Sequence, residues 1–298
     1  MSSSDSEHSL EGSMIRSILL VLAETPHDVN AKNYAFWLAR KEGSRIHALS
    51  VIDIASFEVP VIGTPDGFMP SVMAPPMKES QALMNDLTAI AEQRLAQLSE
   101  QCASRGIPCS SEIRAGIPGD VISRAAAAHD IVVLSRTGYS RITSAEETVD
   151  GWVAPVIRGS VRPVLVAGSE FREEGDIRSI LVAYDGSSHS ARALLVAAEL
   201  SARPGVDCTL IAVAPSDEIG QETLLPAESF LLHHGVRARK QVHVSAKPAD
   251  VICELATSGC FDLVVMGAYG HSPIREVLFG STTERVLSHC AANVILQS

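Results

Sequence analysis

Residues 15–22 form a short apolar run bounded by polar positions, the pattern of a strand buried on both faces. Further strands are predicted at 46–52, 109–114, 131–135 and 162–167. Between them the apolar spacing changes to that of helices. Ala31, Tyr34, Ala35 and Leu38 mark a helix over 30–42 that stops at Gly43. Leu83, Leu87, Ile90, Ala91, Leu95 and Leu98 mark a longer one over 79–104, closed by Gly106. Shorter helices are predicted at 119–128 and 148–159. The same alternation follows in the second half, with strands near 179–184, 207–213, 238–244, 262–266 and 292–297. Its helices are expected near 188–202, 222–234, 249–258 and 275–289. Strands alternating with helices predict an α/β fold with a parallel, doubly wound sheet.

The two halves are copies. Ile15-Arg16-Ser17-Ile18-Leu19 recurs as Ile177-Arg178-Ser179-Ile180-Leu181. Pro118-x-Asp120-Val121-Ile122 recurs as Pro248-x-Asp250-Val251-Ile252, and Asp130-Ile131-Val132-Val133-Leu134 as Asp262-Leu263-Val264-Val265-Met266. The spacing between copies falls from 162 residues at the first motif to 130 at Val164/Val294. Most of the difference fits one insertion near 54–80, rich in Pro, Gly and Met. The expected organisation is two tandem five-stranded domains, 15–168 and 177–298, joined by a polar, acidic linker at 169–176. Residues 1–14, polar and acidic without a basic start, read as a disordered tail rather than a signal peptide.

Composition narrows the function classes. The 298-residue chain is 46% hydrophobic and 20% charged, enough for a packed core. Aromatics are only 4% and the formal net charge is −11. Base-stacking platforms and basic phosphate-tracking faces are both excluded, so nucleic acid is not an expected partner. No apolar stretch approaches the length of a membrane span. The six cysteines (102, 109, 208, 253, 260 and 290) show no CxxC and read as reduced core thiols of a cytoplasmic protein. The adjacent His233 and His234 diverge around a helix and read as solvated surface rather than a metal site.

Ligands of such sheets bind at the carboxyl ends of the strands, so chemistry is sought after Tyr184, Val213 and Met266. After Met266 the chain continues Gly267-Ala268-Tyr269-Gly270-His271 and, with nine residues between it and Gly270, Gly280-Ser281-Thr282. Glycines permit close backbone approach, and Gly280-Ser281-Thr282, near the start or within the first turns of the following helix, would bring free N–H groups, hydroxyls and the helix dipole onto an anion. This is a phosphate cradle without the Walker lysine, and the dinucleotide GxGxxG is also absent. With the strand ending Val182-Ala183-Tyr184-Asp185-Gly186-Ser187, the pattern G-x2-G-x9-G-[ST] resembles the nucleotide-binding members of the universal stress protein family. The resemblance covers nearly all of residues 14–297.

The resemblance implies two Rossmann-like domains packed as a pseudo-dimer, their last strands side by side. It implies an ATP site in the second domain. Asp185 would lie near adenine and ribose, Val213 at the adenine edge, and Met266 and Gly267 along the nucleoside. Gly270, His271, Gly280, Ser281 and Thr282 would hold the phosphates. ADP, AMP and a cyclic nucleotide stay open as ligands, and Mg²⁺ would come with the nucleotide. Asp185 as a cap of the following helix, and His271 as a solvated loop residue, are the bland alternatives.

The first copy departs from this pattern. Ala23 stands opposite Asp185, and Ser135 opposite Gly267. Thr148 stands where the third glycine belongs, with Gly151-Trp152 the nearest substitute. Glu146, Glu147 and Asp150 would repel phosphate, while Arg136 and Arg141 leave room for another anion. The first copy is therefore expected not to bind ATP in the same way. No hydrolase elbow or PP-loop signature occurs, and only Arg275 supplies a cation to the motif loop, so binding with at most slow hydrolysis is expected. The expected protein is a regulatory stress-response protein with an unknown protein partner, a homodimer remaining open. A nucleotide-independent interaction scaffold and a slow ATPase are the alternatives. The Met-rich segment 68–77 is either a partner surface or a cover for its own domain.

Overall fold

The structure is a computed structural model that describes residues 14–23, 28–54, 77–136, 152–168, 177–258, 261–270, 280–290 and 292–298. The tail, the linker, most of the insertion, the 137–151 loop with its acidic residues and Arg141, His271, Arg275 and Cys260 lie outside the described residues.

The first half runs β1 (Ser17–Leu22), α1 (Asp28–Glu42), β2 (Arg45–Asp53), α2 (Met77–Ser104), β3 (Cys109–Gly116), α3 (Pro118–Ala126), β4 (Ile131–Ser135), α4 (Val153–Gly159) and β5 (Val164–Ala167). The second repeats it: β6 (Ser179–Ala183), α5 (Ser188–Ser201), β7 (Asp207–Ala214), α6 (Asp217–His233), β8 (Arg239–Val244), α7 (Pro248–Ser258), β9 (Leu263–Gly267), α8 (Ser281–His289) and β10 (Val294–Gln297). Among the described residues, no helix is long and apolar enough to cross a membrane.

The strands form one ten-stranded sheet in the order β3-β2-β1-β4-β5-β10-β9-β6-β7-β8. Every neighbouring pair is parallel except β5 and β10, which meet antiparallel with Leu165 opposite Ile295. That pairing is a pseudo-twofold seam. The central strands are buried throughout, so their continuous apolar runs follow from having helices on both faces. One core lies under α1, α2, α5 and α6, the other under α3, α4, α7 and α8, and each contains strand residues of both halves.

The repeat extends to hydrogen bonds. Asp130 Oδ2 accepts from the amides of Arg16 and Ser17 at 2.8 and 2.9 Å, and Asp262 Oδ2 from those of Arg178 and Ser179 at 2.9 and 3.0 Å. The aspartate that opens the fourth strand of each half thus tethers the entry of the first.

Two predicted helices start elsewhere: the one expected from 275 begins at Ser281, because Gly280 is extended, and the one after β7 begins earlier than expected. The apolar pattern starts it at 222, whereas α6 starts at Asp217, because the Ser216 side chain caps it by accepting from Ile219 N. The paired histidines lie at its end, where the His234 ring packs 4.5 Å from that of Phe230. Cys102, Cys109, Cys208, Cys253 and Cys290 are free thiols, three of them buried.

Candidate functional site

At the carboxyl ends of β6, β7 and β9 a cavity of about 280 Å³ opens between α5, α7 and α8. Its walls include Asp185, Val213, Met266, Gly267, Gly270, Gly280, Ser281 and Thr282. Eight of the nine residues singled out from the sequence therefore share one cavity, and His271 lies outside the described residues. Tyr184, Ile211, Ile252, Tyr269 and Thr283 also line it. The sequence motif missed these because they are ordinary apolar or hydroxyl residues. Only the Pro248–Ile252 repeat hinted that the start of α7 belongs to a recurring structure.

Three local arrangements build the cavity. First, the chain leaves β6 through Tyr184, whose amide donates to Ile211 O at 2.9 Å, and turns at Gly186 with φ of 82°. Ser187 caps α5 by accepting from Ser190 N at 3.2 Å, so the cap is Ser187 and not Asp185. Asp185 Oδ1 accepts from Ser187 N at 3.0 Å, which aims the exposed carboxylate across the cavity mouth. A Cβ on Gly270 would lie 3.0 Å from Asp185 Oδ2.

Second, β9 ends against the start of α5. A Cβ on Gly267 would lie 2.6 Å from Ser190 N and 2.9 Å from the His189 carbonyl carbon, so this glycine is required by packing. The His189 ring meets Tyr269 edge-on at 5.3 Å. Burial, then Arg192, holds the His189 pKa below its usual value, and burial raises both Tyr184 and Tyr269. These rings stay uncharged near neutrality.

Third, α8 begins at the cavity. Gly280 is its N-cap residue with φ −62° and ψ 139°, and no side chain of the described residues caps it. Buried Thr283 donates to Ala268 O at 2.8 Å and fixes the first turn beside the exit of β9. Among the described residues, a Cβ on Gly280 would meet its nearest atom at 3.6 Å, an ordinary contact, and the φ suits any residue. Neither backbone conformation nor packing by the described residues demands glycine there.

The arrangement offers an apolar slot of Ile211, Val213, Ile252 and Met266, a carboxylate, and an uncapped helix N-terminus with two hydroxyl residues. Among the described lining residues there is no Lys or Arg.

The first half is built differently at the same place. Ser135 occupies the place of Gly267, and its hydroxyl donates to Asp28 Oδ1 at 3.0 Å, as does the Ala23 amide at 3.3 Å. Asp28 is buried, and desolvation raises its pKa to about 7 despite those bonds and the nearby Lys32 and Arg94. A carboxylate thus sits where the second half presents the start of α5. Trp152, also buried, precedes α4 where Gly280 precedes α8. Arg136 is turned away from any anion site: its guanidinium donates to the carbonyl oxygens of Cys290 and Ala292 in the other half.

The sequence model of the universal stress protein family matches residues 14–167 and again 176–296. The chain belongs to the universal stress protein family. A universal stress protein of Synechocystis sp., Slr1230, is 25% identical over 293 residues, covering 94% of this chain and 99% of that protein. One from Thermus aquaticus is 31% identical over 134 residues, 40% of this chain and 97% of its own. The crystal structure of a universal stress protein from Archaeoglobus fulgidus superposes with a TM-score of 0.74 at 18% identity, covering 95% of this chain and 96% of that one. The tandem architecture described above is thus a universal stress protein fold.

Proposed function

We propose that this universal stress protein is a regulatory ATP-binding protein with one working nucleotide site, at the carboxyl ends of β6 and β9. The observation that carries the reading is the α8 N-terminus. Among the described residues it has no side-chain cap and starts at a glycine that their packing does not require, and it opens into a cavity. A helix N-terminus of this kind suits phosphate, because free amides and the helix dipole converge on it. The apolar slot suits a planar base, and Asp185 suits the ribose hydroxyls. With no cation among the described lining residues, Mg²⁺ would accompany the nucleotide, held by phosphates and water. The same lack argues for slow hydrolysis at most, since phosphoryl transfer needs positioned positive charge. Nucleotide occupancy would order the surface around α8 for a protein partner.

The test is the nucleotide content of purified protein, released by denaturation, followed by calorimetric titration with ATP and Mg²⁺. About one adenine nucleotide per chain is expected, and Gly280→Val abolishes binding while leaving the melting temperature close to wild type. Near two per chain would give the first half a site as well. None, with no binding of added ATP, leaves an interaction scaffold.

A further inference from the structure

A second cavity, of about 540 Å³, lies on the seam, where the first strand of the first half meets α5 of the second. Ile15, Arg16, Asp130, Ile131 and Arg162 come from one half, and Arg192, Val196 and Glu199 from the other. The pseudo-twofold gives this place a mate. The register is the same in both halves: Ile18 pairs with Ile131 as Ile180 pairs with Leu263, and Val132 with Val164 as Val264 with Val294. Under that register Asp130 corresponds to Asp262, Val196 to Tyr34, Arg192 to Asn30 and Arg162 to Ala292.

The mate is packed. Tyr34 is 3% exposed, and its hydroxyl donates to Asp262 O at 3.3 Å. Asn30 donates to Gly168 O at 2.9 Å and Asn293 to Asp262 O at 3.3 Å. On the cavity side the ring and hydroxyl are missing, because Val196 replaces the tyrosine. The asparagine and alanine have become arginines. Replacing a large side chain by a small one leaves space unless neighbours collapse into it, and here the space stays open to the surface. The walls Ile15, Ile131 and Val196 are buried, while Met14, Val161 and Leu195 on the rim are 52, 67 and 45% exposed.

The charges at the rim are unequal. Among the described lining residues there are three guanidiniums and two carboxylates, and both carboxylates are engaged by backbone: Asp130 by Arg16 N and Ser17 N, and Glu199 Oε1 by Met14 N at 2.9 Å. The combination suits a ligand with an apolar body and an anionic head. The volume falls within the range of small-molecule sites, roughly 300–1,000 Å³.

We propose that this seam cavity is a second ligand site, separate from the one at α8. It takes a small organic carboxylate whose apolar part rests on Ile15, Ile131 and Val196 and whose head lies at Arg162 and Arg192. Both halves contribute to it, so its ligand joins the halves of the pseudo-dimer.

The test uses the full-length protein and an apolar sulfonate reporter, 8-anilinonaphthalene-1-sulfonate, with decanoate and decanol as competitors. Saturable one-to-one binding is expected, displaced by decanoate and at least about tenfold less well by decanol. Val196→Tyr, which restores the packing of the mate, and Arg162→Gln with Arg192→Gln each weaken it about tenfold or more. Asp185→Ala leaves it unchanged, which separates this site from the nucleotide cavity. The double arginine variant alters exposed positions and keeps the test valid should the tyrosine variant fold poorly. No saturable binding, binding that the double arginine variant leaves within about twofold, or equal displacement by decanol overturns the proposal.

Discussion

Single residues separate what the fold requires from what a ligand would require. Gly267 and Gly280 belong to one motif, yet only the first is pressed against backbone, where a Cβ would lie 2.6 Å from Ser190 N. Gly267→Ala must push β9 from α5 and is expected to cost about 1–3 kcal/mol, read as a lower urea midpoint. Gly280→Ala should leave that midpoint nearly unchanged while weakening ATP in a calorimetric titration. Equal stability losses in the two would remove the distinction. Asp28 supplies a pH signature. Its pKa rises from an ordinary 3.8 to about 7 on folding, chiefly through burial, so the native state holds the proton more tightly. Its contribution to stability is complete below about pH 3.8 and is lost as pH rises through about 7. Asp28→Asn should therefore be the more stable protein at pH 8, by roughly 2–4 kcal/mol, with the gap closing towards pH 4. A gap that is constant between pH 4 and 8 would show that the carboxyl is not desolvated.

Elements show how much could be read from the chain. The continuous apolar runs of β4 and β9 were legible because strands covered on both faces tolerate little else, and the repeat fixed their order. α6 was less so. Gly220 lies in its first turn, against Val242, where a Cβ would come within 2.2 Å of Cγ1. A glycine that serves tight packing there breaks the apolar rhythm, and only the Ser216 cap marks the true start. The cavity was legible through its glycines and Asp185, whose types are unusual at strand ends. Ile211, Ile252 and Tyr269 were not, because residues of their type fill every core and only the topology brings three elements to one place. Thr283 belongs with these. Its bond to Ala268 O sets the first turn of α8 against the exit of β9, so Thr283→Val, close in shape, leaves that carbonyl unpaired. A loss of about 1–2 kcal/mol is expected, together with weaker nucleotide binding. Lost stability with full affinity would confine the bond to packing.

The whole molecule is two copies that have ceased to be equivalent. The strand register at the seam is symmetric, with Leu165 and Ile295 facing each other at its centre. The side chains around it have diverged, giving one half the α8 cavity and the other a buried Asp28, and filling one flank of the seam while leaving the other hollow. Such divergence is available only to a tandem chain, since a homodimer must change both sites together. Because both cores contain strands of both halves, the halves are expected to unfold together, in one calorimetric transition whose van't Hoff and calorimetric enthalpies agree. Arg136 tests that coupling from outside the sheet. Its guanidinium leaves the end of β4 and donates to the carbonyls of Cys290 and Ala292 beyond α8, from a site where burial lowers its pKa without removing its charge. Arg136→Met keeps much of the apolar stem and removes both charged hydrogen bonds, at a cost of about 2–3 kcal/mol. If the halves are one cooperative unit, that loss lowers a single transition as a whole. If they are two, the variant splits the scan, and the half containing α8 melts first.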